Sequence, residues 1–363
     1  MKNTFGNSIS VTLFGESHGA AIGAVVDGLA PGIEIDSEYI KARLDERRPA
    51  GAISTSRVET DEYEIVSGAF MGKTTGTPLT LIIRNENTKS KDYSALLDMP
   101  RPSHADYTAS VKYRGYQDYR GGGHFSGRIT AALVAVGSII RRALENKGIY
   151  IGTHIKSLHG IADREFENYR DDIEALKCTG IPTLSGEARE KMQKEILSAR
   201  EAGDSIGGTL ESAVIGIPAG VGEPWFDTLE GILAHALFSI PGIKGVEFGA
   251  GFDFANMFGS EANDEFCTDG KYLFTKTNNN GGINGGITNG MPLIFRCAVK
   301  PTPSIFKPQD TVSLSTMTEK TLVIEGRHDP AIIHRARAVV DAVSVIAIAD
   351  MLALKYGTDW LGE

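Results

Sequence analysis

Residues 118–128 constrain the possible folds of this chain more than any other stretch, because they contain three consecutive glycines at positions 121–123. Glycine reaches positive φ without a Cβ clash, so such a run can bring its N–H groups close to a ligand. An apolar run follows at residues 129–140 and predicts a helix. A glycine loop that leads into a helix, with Arg120 and Arg128 beside it, is typical of an anion site. The alternative is a glycine-rich turn with solvated arginines, and the loop does not match a nucleoside-triphosphate P-loop.

The distribution of charge favours a small anion as the ligand of such a site. The chain has 363 residues and a formal net charge of −9, which gives no support to a role with nucleic acid or an anionic membrane. Between residues 101 and 128, however, basic residues outnumber acidic ones by five to two. A basic island in an acidic chain indicates a pocket for a small anion, because a polyanion would need a wider basic face.

The length suggests about two domains, but no Pro- or Ser-rich linker divides the chain, so we predict a single compact domain over residues 1–363. The hydrophobic share of 41% and the charged share of 23% are ordinary for a globular protein with a sizeable core. The N-terminal residues carry no apolar run, so we expect no secretory signal and a cytoplasmic location. The cysteines lack Cys-x-x-Cys spacing and the histidines lack local zinc spacing, so no metal site is predicted.

Hydrophobic periodicity predicts a mixture of strands and helices along the whole chain. The predicted strands cover residues 8–14, 21–26, 64–70, 78–84, 207–217, 292–299 and 321–325. Four helices are predicted besides the run at 129–140. The first begins at a Ser37 cap and ends before Pro49, and the second covers residues 187–202 with Ser185 as its cap. The third begins at a capping box of Asp227 and Glu230, and the fourth covers residues 331–354.

Several short polar motifs interrupt these elements. Gly15-Glu-Ser-His-Gly19 lies between two predicted strands, which puts His18 at a turn or bulge where it can be aimed at a ligand. In Arg101-Pro-Ser-His-Ala-Asp106, an arginine and His104 stand three apart on a short loop. Both histidines could instead be structural, and Ser103 could simply cap a helix. Further motifs are a second glycine loop at residues 278–286, Lys300-Pro-Thr-Pro-Ser304, and Gly326-Arg-His-Asp-Pro330.

These motifs, together with Gly245-Val-Glu-Phe-Gly249, resemble the chorismate synthase family in identity and order, from about residue 12 to beyond residue 330. The resemblance implies an α+β fold with helices sandwiched between antiparallel sheets, assembled as a homotetramer. It implies a carbon–oxygen lyase of the shikimate pathway that converts 5-enolpyruvylshikimate-3-phosphate to chorismate and phosphate by 1,4-anti elimination. It also implies a requirement for reduced FMN without net redox change. NADPH and an external flavin reductase both remain open as the source of electrons.

The family's functional residues can be carried over to matching positions of this chain. The resemblance implies that His18 protonates the departing phosphate, that His104 donates a proton to the reduced flavin, and that Asp329 is the base that relays the C6 proton. The implied substrate-binding residues are Ser17, Arg47, Arg48, Arg101, Ser126 and Arg128. The implied cofactor-binding residues are His124, Phe125, Ser126, Gly286, Lys300, Pro301, Thr302, Pro303, Ser304 and Arg327.

Two departures from the family pattern leave parts of the site open. Many members carry a second arginine six residues after the position of Arg47, where this chain has Ile53, so only Arg57 could substitute. Many members also read Arg-Ser-Ser-Ala after the glycines, where this chain has residues 124–127, so His124 is either a contact or a bystander. The competing functions are a non-catalytic protein that binds a flavin or phosphorylated metabolite, and a phosphate-handling metalloenzyme.

Overall fold

The computed structural model describes residues 2–49, 51–54, 60–86, 97–177, 180–324 and 328–363. Its helices are α1 (Ser37–Arg47), α2 (Asp106–Lys112), α3 (Thr130–Asn146), α4 (Tyr169–Ala175), α5 (Gly186–Glu201), α6 (Leu229–Phe238), α7 (Gly259–Ala262) and α8 (Ile333–Tyr356). Its strands are β1 (Thr4–Phe5), β2 (Ser10–Gly15), β3 (Ala21–Asp27), β4 (Tyr63–Ser67), β5 (Ala69–Phe70), β6 (Lys73–Thr74), β7 (Leu79–Arg84), β8 (Tyr150–Leu158), β9 (Ile161–Ala162), β10 (Gly208–Ile215), β11 (Ile243–Phe248), β12 (Phe266–Thr268), β13 (Leu273–Thr275), β14 (Ile283–Asn284), β15 (Ile287–Thr288), β16 (Leu293–Val299), β17 (Gln309–Ser313) and β18 (Thr318–Leu322).

Two five-stranded antiparallel sheets enclose a layer of helices. The first sheet has the strand order β1-β2-β3-β7-β4, and the second has the order β11-β16-β10-β8-β9. Helix α3 packs on β3 and β7 of the first sheet, α8 packs on β8 and β10 of the second, and the two helices pack on each other. This arrangement confirms the predicted α+β class with helices sandwiched between antiparallel sheets.

Helix α8 is the centre of the helical layer, and nearly all of its residues are buried. Most of its residues are apolar, because it contacts α1, α3, α6 and the second sheet at once. Its buried acids are satisfied by the protein. Asp341 pairs with Arg141 at 3.0 Å, and Asp350 accepts the N–H groups of Asn7 and Ser8 at 2.9 and 2.7 Å. No helix in the described part of the chain is long and apolar enough to span a membrane.

The structure corrects three helix starts that local patterns predicted. Asp36 rather than Ser37 caps α1, because its carboxylate accepts the Tyr39 N–H at 3.0 Å. Thr228 rather than the pair Asp227 and Glu230 caps α6. Helix α2 has no side-chain cap, and Ser103 has a φ of 59°, so the predicted cap there is wrong. The predicted Ser185 cap of α5 is confirmed.

His154 is a fully buried histidine of the second sheet with a carboxylate on each side. Its Nδ1 lies 2.9 Å from Asp163 and its Nε2 lies 3.2 Å from Glu211. Burial by itself would lower the pKa of His154, but the two carboxylates outweigh it and hold the pKa above its usual value.

This cluster predicts a pH dependence of stability. Because the folded pKa of His154 exceeds the unfolded value of about 6.5, its contribution is fully present below that pH and declines as pH rises through the folded pKa. The free energy of unfolding is measured with urea at several values between about pH 5 and pH 9, a range that includes the usual titration of histidine. In His154→Gln the same decline in the free energy of unfolding should be absent. An unchanged slope would show that other groups cause it.

Candidate active site

The triple glycine lies between two histidines. Gly121, Gly122 and Gly123 have φ values of 58°, 85° and 52°, which confirms that this stretch requires glycine. A Cβ on Gly121 would lie 2.2 Å from His18 Cε1, and a Cβ on Gly122 would lie 3.3 Å from His104 Cε1. The absence of side chains therefore allows both imidazole rings to approach the same short loop.

His18 lies in the turn between β2 and β3, as predicted, and is buried. Its Nδ1 is 3.1 Å from the hydroxyl oxygen of Ser17, which is buried as well. The Ser17 hydroxyl also lies 3.2 Å from the carbonyl oxygen of Arg120, and the Ser17 N–H donates to the Gly123 carbonyl at 3.1 Å. The glycine loop thus fixes both the backbone and the side chain that orient His18.

Asp106 organises the second histidine. Its carboxylate accepts two hydrogen bonds from Arg101, each 2.8 Å long, and lies 2.6 Å from His104 Nδ1. Burial would raise the pKa of Asp106, but hydrogen bonds from Arg101 and His104 outweigh it and hold the pKa well below its usual range. The motif at residues 101–106 predicted no role for Asp106 in orienting His104. Its position two residues after His104 was the signal that could have identified it.

A second buried carboxylate, Asp61, pairs with two of the predicted substrate-binding arginines. Arg128 Nη1 contacts Asp61 Oδ1 directly, and Arg47 Nη2 lies 3.9 Å from Asp61 Oδ2. Burial would raise the pKa of Asp61, but Arg47 and Arg128 outweigh it and the pKa is lowered. No motif in the sequence indicated Asp61 as a partner of these arginines. The trio retains one positive charge.

Asn85 joins this arginine cluster to the His18 turn. Its side-chain oxygen accepts from Arg128 Nε at 3.2 Å, while its amide nitrogen donates to the carbonyls of Glu16 and Gly19, both at 2.9 Å. On the other side, Arg101 Nη1 reaches the Ser304 hydroxyl at 3.3 Å. The predicted residues from distant parts of the sequence therefore converge on one region.

Asp329 is connected to the same region by Arg335, which no sequence motif indicated. Arg335 Nη1 donates to Asp329 Oδ2 at 2.7 Å, and Arg335 Nε donates to the Arg47 carbonyl at 2.9 Å. Beside Asp329, the ring of His328 packs against Phe306 with 4.9 Å between centroids. Burial lowers the pKa of His328, with a further contribution from Arg101, whose positive charge faces it.

Residues 300–304, predicted to bind the cofactor, lie at the edge of this region. Lys300 Nζ donates to the Ser103 carbonyl at 2.6 Å, beside His104. Within the described part of the chain, the buried hydroxyl of Thr302 has no hydrogen-bond partner. Burial lowers the pKa of Lys300, and the nearby charge of Lys244 adds to the effect. An unsatisfied buried hydroxyl next to a lysine fits a ligand with hydrogen-bonding oxygens.

Other predicted contacts have partners within the protein. His124 Nδ1 lies 2.7 Å from the Gly15 carbonyl oxygen, and Ser126 caps the short turn at Arg128. Arg48 pairs with Asp45 at a half-exposed position. Gly286 packs against α6, and its carbonyl accepts the Leu229 N–H at 2.9 Å. Ile53, at the position of the missing second arginine, is buried in the core, and both Arg57 and Arg327 lie outside the described residues.

The fold and the site together define a class of protein. Three buried arginines, each near a carboxylate, surround two histidines that face one glycine loop. Such a site can bind a compact polyanion and transfer protons to or from it. These properties fit an α+β enzyme that acts on a small anion.

Comparisons with known proteins give the family. The family model described as chorismate synthase matches residues 9–353. The chain is 48% identical to the chorismate synthase of Thermococcus gammatolerans, with 96% of each chain covered. It is 45% identical to that of Dehalococcoides mccartyi, with 98% of each covered. A crystal structure of a chorismate synthase superposes with a TM-score of 0.76 at 30% identity, covering 98% of this chain and 94% of that one. The chain belongs to the chorismate synthase family.

Proposed function

We propose that the protein eliminates phosphate from 5-enolpyruvylshikimate-3-phosphate to give chorismate, by a 1,4-anti elimination that requires reduced FMN. The observation that carries this proposal is the convergence of His18, His104 and the buried arginines on one glycine loop. The substrate combines one phosphate with two carboxylates, so it needs concentrated positive charge next to a proton donor. Membership of the chorismate synthase family supports the same reaction.

Arg47, Arg101 and Arg128 would bind the substrate's anionic groups. Their guanidinium groups are planar and present paired donors, which match carboxylate and phosphate oxygens. Asp61 and Asp106 hold these arginines in place without ligand, because buried guanidinium groups without counter-charges would be costly. Arg48 forms a partly exposed ion pair with Asp45, so we propose that it binds substrate at the outer edge of the site.

The residues at 300–304 fit an FMN site, because the buried Thr302 hydroxyl lacks a partner within the described chain and Lys300, two residues before it, supplies a cation next to Ser103. With Pro301 and Pro303 restricting the backbone, Lys300, Thr302 and Ser304 would hold the cofactor. When bound, reduced FMN supplies electron density to the allylic system that loses phosphate. The proposed electron source is NADPH or an external reductase.

The proposed proton transfers use three side chains. His18 would give its proton to the departing phosphate oxygen, with Ser17 fixing the orientation of the ring. His104 would donate its proton from Nε2, the nitrogen on the side of Gly122, while its Nδ1–H donates to the Asp106 carboxylate and holds the ring in place. Asp329 would accept the proton removed from C6 of the substrate.

We also propose that the chain is one domain, assembles as a homotetramer and works in the cytoplasm. An exposed apolar surface supports the assembly, since such patches mark interfaces. Its members lie on the segment around the β12–β13 hairpin: Phe252, Phe258, Phe266, Tyr272 and Leu273. Sedimentation equilibrium tests the assembly, and a monomer at micromolar concentration would contradict it.

The activity is tested by anaerobic phosphate release from 5-enolpyruvylshikimate-3-phosphate. We expect release with dithionite-reduced FMN and none with oxidised FMN, because the proposed elimination needs the reduced cofactor. Replacing dithionite with NADPH then tests self-reduction. No release with either form, while flavin still binds, would favour a non-catalytic binding protein. Loss of activity on adding a chelator would instead favour a metalloenzyme.

A further inference from the structure

Arg335 connects two functional parts of the site with a single side chain. It lies in the first turn of α8. Its Nη1 donates to the Asp329 carboxylate at 2.7 Å, and its Nε donates to the backbone carbonyl of Arg47 at 2.9 Å. Asp329 precedes α8, whereas Arg47 ends α1, so the guanidinium group bridges two helices that are far apart in sequence.

The bridge is rigid because of the chemistry of its parts. The guanidinium group is planar, so the directions of its Nε–H and Nη1–H donors are fixed relative to each other. The Arg335 and Asp329 side chains are 20% and 14% exposed, so solvent screens their ion pair only partly. A change in the position of one acceptor must therefore move the guanidinium group away from the other.

Two neighbouring residues of α8 also contact the end of α1 and the residues after it, through side chains other than Asp329. Arg337 Nη1 lies 3.2 Å from Glu46 Oε2, and His334 Nε2 lies 2.7 Å from the Ser54 hydroxyl oxygen. These contacts anchor α1 and the loop that follows it. Since they attach the same segment to α8 independently, α1 should remain docked when Arg335 is replaced.

We infer that Arg335 is a positioning residue, which sets the Asp329 carboxylate relative to the substrate-binding Arg47. The inference rests on the proposed function, because it assumes that Asp329 receives the substrate's proton and that Arg47 binds an anionic group. Arg335 itself need not touch the substrate. Proton transfer depends steeply on the distance and direction between base and substrate, so misplacement of Asp329 lowers the rate more than the affinity.

The variants Arg335→Gln and Arg335→Lys test this role. Glutamine removes the charge, whereas lysine keeps it but replaces two divergent donors by one ammonium group. We expect both to lower kcat, expressed per substrate-binding site, by about 10- to 100-fold. The dissociation constant for substrate, measured by calorimetry, should rise only a few-fold. If lysine restores the wild-type rate, charge alone is sufficient and the positioning role is wrong.

Arg189→Gln is a matched control. Arg189 also donates through Nε and Nη2, to the hydroxyl and carbonyl of Thr183, both at 3.3 Å, but these contacts join α5 to the segment before it and involve no residue of the proposed site. Its kcat per binding site should stay within about two-fold of wild type, as for a substitution without a catalytic role. A merely structural Arg335 would lower the number of binding sites and leave kcat per site unchanged, which would overturn the inference.

A second measurement separates failure of this inference from failure of the proposed function. If the wild type releases no phosphate, the proposed function is wrong. The coupling between Arg335 and Asp329 is then measured separately, by urea unfolding of Arg335→Gln, Asp329→Asn and the double variant. We expect the double variant to unfold at nearly the same urea concentration as Arg335→Gln alone. Additive effects of the two substitutions would show that the bridge does not couple these residues, and the inference would fail.

Discussion

The His18→Ala variant is expected to release phosphate about 10²- to 10⁴-fold more slowly than the wild type, the usual contribution of a general acid. His18 is buried against Gly121, and its Nδ1 lies within hydrogen-bond distance of the Ser17 hydroxyl. Its proton therefore has a defined direction. Alanine leaves no donor at this position for the departing phosphate oxygen, and the neighbouring Ser17 hydroxyl is a far weaker acid than an imidazolium.

The measurement is single-turnover phosphate release under anaerobic conditions with reduced FMN. The fold should survive, since His18 lies in a turn and supports no strand pairing in its own right. His159→Ala is the control, because His159 is an exposed histidine whose ring pairs with Glu195 on α5 and not with the glycine loop. We expect the same range of loss for His104→Ala. A near-wild-type rate in either site variant would remove that histidine from its proposed role.

The Asp61→Ala variant is expected to lose about 3–5 kcal/mol of the free energy of unfolding, the usual cost of leaving a buried charge without its partner. The side chains of Asp61 and Arg128 are only 2% and 5% exposed, so water cannot replace the lost carboxylate. Arg47 loses its counter-charge at the same time. Chemical denaturation of the ligand-free protein measures the loss.

Asp45→Ala is the matched control for this loss. Asp45 also pairs with an arginine, Arg48, but the side chains are 36% and 28% exposed. We expect a change below about 1 kcal/mol, as is usual for surface ion pairs. If Asp61→Ala and Asp45→Ala lose the same free energy of unfolding, burial does not make the Asp61 ion pair more important for stability.

Two further properties of Asp61 follow from the same electrostatics. Because its folded pKa is depressed below the unfolded value of about 3.9, its contribution is present above that pH and is lost as pH falls through the folded pKa. Inorganic phosphate should raise the melting temperature of Asp61→Ala more than that of the wild type, because the anion replaces the missing charge. An equal response would mean that Asp61 does not compete with anions for these arginines.

The sequence predicted most of the secondary structure and, through the family resemblance, the candidate functional residues. Strands and the Ser185 cap follow from local periodicity and hydrogen bonding, which act over a few residues. The positive φ of the glycine loop follows from glycine itself. The motif order predicted the sandwich of helices and sheets, which the structure and the comparisons confirm. The roles of His18, His104 and Asp329 stay predictions.

Only the tertiary structure decided which groups balance the charges of the site. Asp61 lies 67 positions from Arg128, and Arg335 lies 288 positions from the Arg47 carbonyl, so no local pattern indicates either contact. The cap of α1 at Asp36 shows the same limit on a smaller scale, because two adjacent residues could each cap the helix. Periodicity reports how one element buries its own apolar side. Long-range pairing of buried charges depends on how all the elements pack together, since only packing decides which groups lose water at the same place.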